Sequence, residues 1–368
     1  MIPVAIPDLG GNEEKYVLEA LSSTWISSTG AFLDRFEQEF APLCDSRFGL
    51  AVCNGTAALH LAMLTLDVGP GDEVLVPSLT YVATANAVRY VGATPVFVDV
   101  EPSTWCIDPS LIESAITPRT KGIIAVHLYG HPADVDRINQ IAAANDLWVV
   151  EDAAEAPLAE YKGRRVGSLS SIATFSFFGN KVLTSGEGGA VTLSDETLLQ
   201  KARTIRGQGV DPHRRYYFPV IGHNFRLTNI AAAILCAQIE RAETILAQRQ
   251  AVFDRYESLL ANAPGIGFQP VAAWAKRSPW LFCLTVDADT YGHTRDELAA
   301  HLLENGVDTR PFFYPLHKLP PYEAKGANKV DLPNTDLLAG SGMNLPTYAS
   351  LEPAQIEKIC TLIRDFSR

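Results

Sequence analysis

Long apolar runs, a surplus of positive charge and paired cysteines are all missing from this sequence. No stretch approaches the ~18 apolar residues that a membrane-crossing helix needs, so a membrane partner is not expected. The opening segment, Met1-Ile-Pro-Val-Ala-Ile-Pro-Asp8, has neither a basic nor a sustained apolar region, so no export signal is expected and the expected location is cytoplasmic. Thirty basic against 42 acidic residues give a formal charge of −12. Nucleic acids and anionic membranes both demand a basic face, and neither is an expected partner. An anionic substrate must then be met by local donors against the overall field. The six cysteines (Cys44, Cys53, Cys106, Cys236, Cys283, Cys360) are scattered, with no Cys-x-x-Cys pair and no histidine cluster. That spacing excludes a disulfide frame or a zinc site and predicts reduced, structural thiols and no metal.

A chain of 368 residues exceeds what one small core needs and reads as about two domains. The first half alternates helical patterns with short, nearly continuous apolar runs. These runs are Leu50-Ala-Val-Cys53, Glu73-Val-Leu-Val-Pro77, Thr94 to Asp99, Gly122 to His127 and Leu147 to Asp152. Such runs suit a sheet buried on both faces, and polar or glycine-rich residues follow most of them. Ligands of open α/β sheets bind beyond the carboxyl ends of the strands, which is where those polar residues fall. One long helix is predicted from about Thr228 to Leu260, as a bridge to a smaller α+β unit. That unit holds a strand at Leu281 to Val286, a helix at Thr294 to Asn305 and a closing helix at Glu352 to Phe366. Thr294 followed by Glu297 has the pattern of a capping box.

The densest chemical signal is Ser176-Phe-Phe-Gly-Asn-Lys181, followed by Thr184-Ser-Gly-Glu-Gly-Gly189. A lysine set between a serine and a glycine-rich turn reads either as an amine placed to bind an aldehyde, with the serine on a neighbouring phosphate, or as a solvated loop residue. Asn54-Gly-Thr-Ala-Ala-Leu59 is a strand-to-helix turn whose backbone N–H groups and helix dipole suit a phosphate, although many such turns bind nothing. Asp152 ends a strand and serves either as the partner of a protonated ring nitrogen or as a helix N-cap for Ala153 to Ala156. Glu155 either joins that site or sits solvated in a first helical turn. Tyr81 either stacks on a flat ring or belongs to the core. The stretch Gly222-His-Asn-Phe-Arg-Leu-Thr-Asn229 reads equally as a capping segment or a ligand site.

In order and spacing together, these segments resemble the DegT/DnrJ/EryC1/StrS family of sugar aminotransferases, nearly end to end. The most specific parts are Glu151-Asp-Ala-Ala-Glu-Ala156, Ser176 to Lys181, Gly186-Glu-Gly-Gly189 and Asn224 to Asn229. The resemblance implies fold type I of the pyridoxal 5'-phosphate (PLP) transferases, an α/β fold like that of aspartate aminotransferase. A large PLP-binding domain with a mostly parallel mixed sheet flanked by helices would span residues 1–245, N-terminal arm included. A smaller C-terminal α+β domain would span 246–368. Lys181 and Asp152 would be catalytic, the first as the PLP-bearing amine and the second on the ring nitrogen. Gly55, Thr56, Ala57 and Ser176 would bind the phosphate, Tyr81 would stack on the ring, and Glu155 would lie near the ring oxygen. Asn224 would reach the phosphate held by a neighbouring subunit, which implies a homodimer with active sites at the interface. Trp25, Ser27, Tyr314 and His317 would surround the sugar.

A narrower likeness rests on Trp25-Ile-Ser-Ser28, Thr84-Ala-Asn-Ala-Val88, Arg310-Pro-Phe-Phe-Tyr-Pro-Leu-His317 and Asn344-Leu-Pro-Thr-Tyr348. It implies transfer of nitrogen from L-glutamate, released as 2-oxoglutarate, to C4 of a nucleotide-linked 4-keto-6-deoxyhexose. A GDP-linked mannose derivative destined for O-antigen is the leading expectation. The alternatives are a TDP- or UDP-linked 3- or 4-ketosugar, or a PLP-dependent sugar dehydratase, against which Lys181 itself argues. The chain departs from the family at Glu155, often Gln, and at Pro157-Leu158, commonly His-Gly. His223 and Phe225 also replace residues frequent in relatives.

Overall fold

The computed structural model describes residues 1–323 and 330–367. The strands, in chain order, are β1 (Phe48–Val52), β2 (Glu73–Pro77), β3 (Thr94–Val98), β4 (Thr120–Val126) and β5 (Trp148–Asp152). A short ribbon follows, β6 (Glu160–Tyr161) and β7 (Arg164–Arg165), and then β8 (Ile172–Ser176) and β9 (Gly189–Leu193). The C-terminal part adds β10 (Ile266–Phe268), β11 (Ala275–Lys276), β12 (Phe282–Val286), β13 (Arg310–Pro311) and β14 (Gly342–Leu345).

Seven strands form the main sheet in the order β1-β9-β8-β5-β4-β2-β3, and only β9 runs against the others. Every residue of β2 and β9 is buried, which explains why these segments carry no polar alternation. Helices cover both faces. The helix Gly55–Thr65 is itself nearly all apolar and buries eight residues between the sheet and its neighbours. The predicted strand positions hold to within two residues at each end. The expected mostly parallel, mixed α/β sheet is the one observed.

A second sheet, β10-β12-β14-β13, is antiparallel and packs on the helices Arg295–Glu304 and Pro353–Phe366. Its apolar cluster includes Tyr256, Phe282, Leu298, Met343 and Ile359. Ile2 joins that cluster, because the N-terminal arm bridges to Val307. The capping box is present, with Thr294 Oγ1 accepting from Glu297 N and Glu297 accepting from Thr294 N.

The single long helix expected from Thr228 to Leu260 is a pair, Asn229–Glu240 and Ala242–Leu260, broken at Arg241. Arg241 leaves helical geometry at φ −113° and ψ 6°, and its guanidinium clasps the Asp8 carboxylate at 2.6 and 3.3 Å. Beside it the fully buried Gln238 amide donates to Asp8 O and Glu13 Oε1, both at 2.7 Å. The same amide accepts from Thr184 N at 3.2 Å, so one side chain ties the arm to the loop that carries Lys181. All six cysteines are free thiols, five of them buried. No helix among the described residues is long and apolar enough to cross a membrane.

Candidate active site

A cavity of about 470 Å³ opens beyond the carboxyl ends of β1, β2, β4, β5 and β8 and is closed from above by residues of the second sheet. Its floor begins at the helix Gly55–Thr65. Asn54 caps that helix, its Oδ1 accepting from Ala57 N at 2.8 Å, which leaves Gly55 and Thr56 at the exposed end of the dipole. A Cβ added to Gly55 would stand 2.7 Å from Ser176 Cβ, so only glycine lets the helix end and the serine share one cradle. A helix N-terminus with a hydroxyl beside it has the donors for a phosphate.

Asp152 closes β5 and is 5% exposed. Its Oδ2 accepts from the Thr84 hydroxyl at 2.8 Å and its Oδ1 from Ala154 N at 3.2 Å. Burial pushes its carboxyl above the usual range, opposed by the Thr84 and Ala154 hydrogen bonds and by Lys181. The alternative of a helix cap does not apply, since Ala153 to Ala156 form turns, not a helix. Glu151, its neighbour on the other face, accepts from the N–H groups of Gly167, Leu169 and Ser170 and meets His127 Nε2 at 3.1 Å. That carboxylate anchors the strand, while Asp152 faces the cavity.

Glu155 is 3% exposed, not solvated, and its Oε2 accepts from Tyr129 N at 2.7 Å. Tyr129 adopts φ +52° to present that N–H, and Gly130 follows at φ +95°, where the Ser278 carbonyl leaves no room for a side chain. Burial raises the Glu155 carboxyl to about 7, with Lys181 and the Tyr129 N–H acting against it. Lys181 sits in the loop between β8 and β9. Desolvation draws its amine below the ordinary lysine value, while Glu155 and Asp152 pull the other way and Arg310 adds to the lowering. Its Nζ lies 3.8 Å from the centroid of the Trp280 ring.

A helix N-terminus beside a hydroxyl, two buried carboxyls and a desolvated amine line one cavity, and that set of groups fits a flat aldehyde with a phosphate arm. Tyr81 stands on the rim, 57% exposed, its ring 5.8 Å from that of Phe313, and so is no core residue. Gly55, Thr56, Tyr81, Asp152, Glu155, Ser176 and Lys181 therefore converge on one cavity. Ala57 lies one step behind, its N–H taken by Asn54.

The other expected residues lie elsewhere in this chain. Asn224 is exposed outside the cavity, its Oδ1 accepting from Arg226 Nε at 3.0 Å. Trp25 and Ser27 are exposed, and their carbonyls accept from Asn229 Nδ2 and N at 2.7 and 2.6 Å. Tyr314 is 75% exposed. His317 is buried behind the wall, with Nδ1 2.8 Å from the Ser78 hydroxyl and Nε2 3.6 Å from Asp336. The departures His223 and Phe225 stack on each other at 4.6 Å beside His60, away from the cavity. Leu158 holds φ +64° in the core.

Thr84, Asn180, Trp280, Arg310, Phe313 and Asn344 also line the cavity, and sequence reasoning gave none of them a role. Thr84, Arg310, Phe313 and Asn344 lie in the motifs of the narrower likeness, so a signal existed. Trp280 carried none beyond being an aromatic at the mouth of a strand.

Known proteins resemble this chain along nearly its whole length. The profile of the DegT/DnrJ/EryC1/StrS aminotransferase family matches residues 7–364. The GDP-perosamine synthase of Caulobacter vibrioides is 47% identical over 97% of this chain and 96% of its own length. The GDP-perosamine synthase of Escherichia coli O157:H7 is 42% identical over 99% of this chain and 98% of its own. Among solved structures, Streptomyces venezuelae DesV in complex with a ketimine intermediate superposes with a TM-score of 0.91 at 37% identity, covering 96% of this chain and 94% of that one. The chain belongs to the DegT/DnrJ/EryC1/StrS aminotransferase family and is a PLP-dependent aminotransferase of fold type I.

Proposed function

We propose that this enzyme moves an amino group from L-glutamate to C4 of GDP-4-keto-6-deoxy-D-mannose, yielding GDP-perosamine. One observation carries the reading: relatives named GDP-perosamine synthase match the chain over nearly its full length, at up to 47% identity. The cavity supports the chemistry, since Lys181, Asp152, Glu155 and the Gly55–Ser176 cradle meet there.

When bound, PLP supplies an electron-accepting ring and an aldehyde carbon able to carry nitrogen. The chain's residues do the rest. Gly55, Thr56 and Ser176 hold the phosphate and so fix the ring's position. The Asp152 carboxylate, steadied by Thr84, keeps a proton on the ring nitrogen. Glu155, whose carboxyl burial pushes up to about 7, would hold a proton near the ring oxygen. Lys181 would hold the cofactor through its amine and, when free, would carry a proton at Nζ from the substrate carbon to the carbon that bears the nitrogen. Desolvation favours the neutral amine that such a base requires. Tyr81, on the rim, would cover one ring face.

A homodimer belongs to this reading. Asn224 is exposed outside its own chain's cavity, as expected of a residue that completes the phosphate site of a second copy. Trp25, Ser27 and Tyr314 are exposed as well, which suits a sugar site assembled between copies. The test is turnover with purified 4-ketosugars linked to GDP, TDP or UDP and L-glutamate as donor. Preference for the GDP-linked substrate with an amino sugar as product supports the reading, and preference for a TDP- or UDP-linked one overturns it.

A further inference from the structure

We propose that the indole face of Trp280 is the seat of the Lys181 amine whenever that amine is not bonded to the cofactor. Trp280 is then a positioning residue, and the inference rests on the reading of Lys181 as the cofactor-binding lysine. The geometry is specific. Lys181 Nζ lies 3.8 Å from the ring centroid, and the same indole donates from Nε1 to the carbonyl of Asn180 at 2.9 Å. One side chain therefore holds both the backbone just before the lysine and the amine at its tip.

Trp280 is fixed in turn. It is 3% exposed, and Tyr129 stacks on it at 6.2 Å and 25°. The carbonyls of Pro279 and Trp280 accept from the buried Arg249, at 2.9 Å from Nε and 2.5 Å from Nη2. The neighbouring Ser278 N donates to Gly130 O at 2.9 Å. Arg249 stands on the helix Ala242–Leu260, so the platform is rooted in the C-terminal part of the molecule.

A lysine that alternates between bonded and free states must stay close while free, hold a proton, and still surrender it. A salt bridge would keep the ammonium locked to a carboxylate. An aromatic face attracts the ammonium through the ring quadrupole while leaving its three N–H bonds without a fixed acceptor. The other charges facing Lys181 are Asp152 from β5, Glu155 from the turn after it, and Arg310 from β13, which opposes both. Trp280 thus favours the protonated amine without bonding to its protons.

The test is the rate at which the cofactor-free protein captures added PLP, followed by absorbance as a function of pH. Only the neutral amine attacks the aldehyde, so the rate inflects where Lys181 loses its proton. Removing the ring disfavours the ammonium. Trp280→Leu should move the inflection down by about one pH unit, and Trp280→Phe, with a weaker face, by less. Loss of the Asn180 tether alone would scale the rate equally at all pH values. An inflection that stays in place in both variants, whatever the change in rate, overturns the proposal. Should Trp280→Leu fail to fold, by circular dichroism, the Trp280→Phe shift decides alone. Lys181→Ala serves as the control. Should it capture PLP like the parent, the reading of Lys181 falls instead.

Discussion

The Thr84 hydroxyl donates a 2.8 Å hydrogen bond to Oδ2 of Asp152, inside the wall of the cavity. This bond stabilises the ionised carboxylate against a burial that favours the neutral acid. Thr84→Val keeps the shape and removes the donor, leaving a buried acceptor at a cost of about 1–3 kcal/mol. The expected result is turnover about fivefold to a hundredfold lower, with Thr84→Ser near the parent, as read by kcat on the ketosugar substrate.

Glu155 sets a dependence of stability on pH. Its carboxyl titrates near 7 in the folded protein, above the model-peptide 4.5 that stands for the unfolded chain. Between those values the folded state binds more protons, so stability falls as pH rises from about 4.5 to about 7. Glu155→Gln removes that contribution. In the cofactor-free protein, the stability of the parent relative to Glu155→Gln should fall by on the order of 2 kcal/mol across the window. Urea titrations at pH 5 and pH 7 read the difference, and equal pH dependence in both proteins contradicts it.

Much of this molecule is legible before folding is considered, and the reason is local. Runs such as Glu73-Val-Leu-Val-Pro77 are buried on both faces, so composition alone marks them. Thr294 and Glu297 satisfy each other within one helical turn, which a spacing of three reveals. The break at Arg241 is different, because its partner Asp8 lies 233 positions away. Trp280 gains its meaning only when Arg249 and Gly130 bring its loop over Lys181. The seat of His317 behind the wall likewise depends on Ser78, 239 residues distant.

Gly55 tests the phosphate cradle. Gly55→Ala places a methyl group 2.7 Å from Ser176 Cβ, so the helix end or the serine must shift. PLP affinity should drop at least about tenfold, while affinity for pyridoxal, which lacks the phosphate, changes little. Equilibrium dialysis with both compounds separates the outcomes.

Gln238 tests the tie between the arm and the lysine loop. Gln238→Leu leaves Thr184 N, the Asp8 carbonyl and Glu13 Oε1 without their buried partner. Stability should fall by about 3–6 kcal/mol, from three such groups at about 1–2 each, seen as a lower denaturation midpoint with an unchanged slope.

The most direct measurement is borohydride reduction of the protein with PLP bound, followed by peptide mass analysis. The account predicts a single phosphopyridoxyl group on Lys181. A label on another lysine, or none at all, would contradict it.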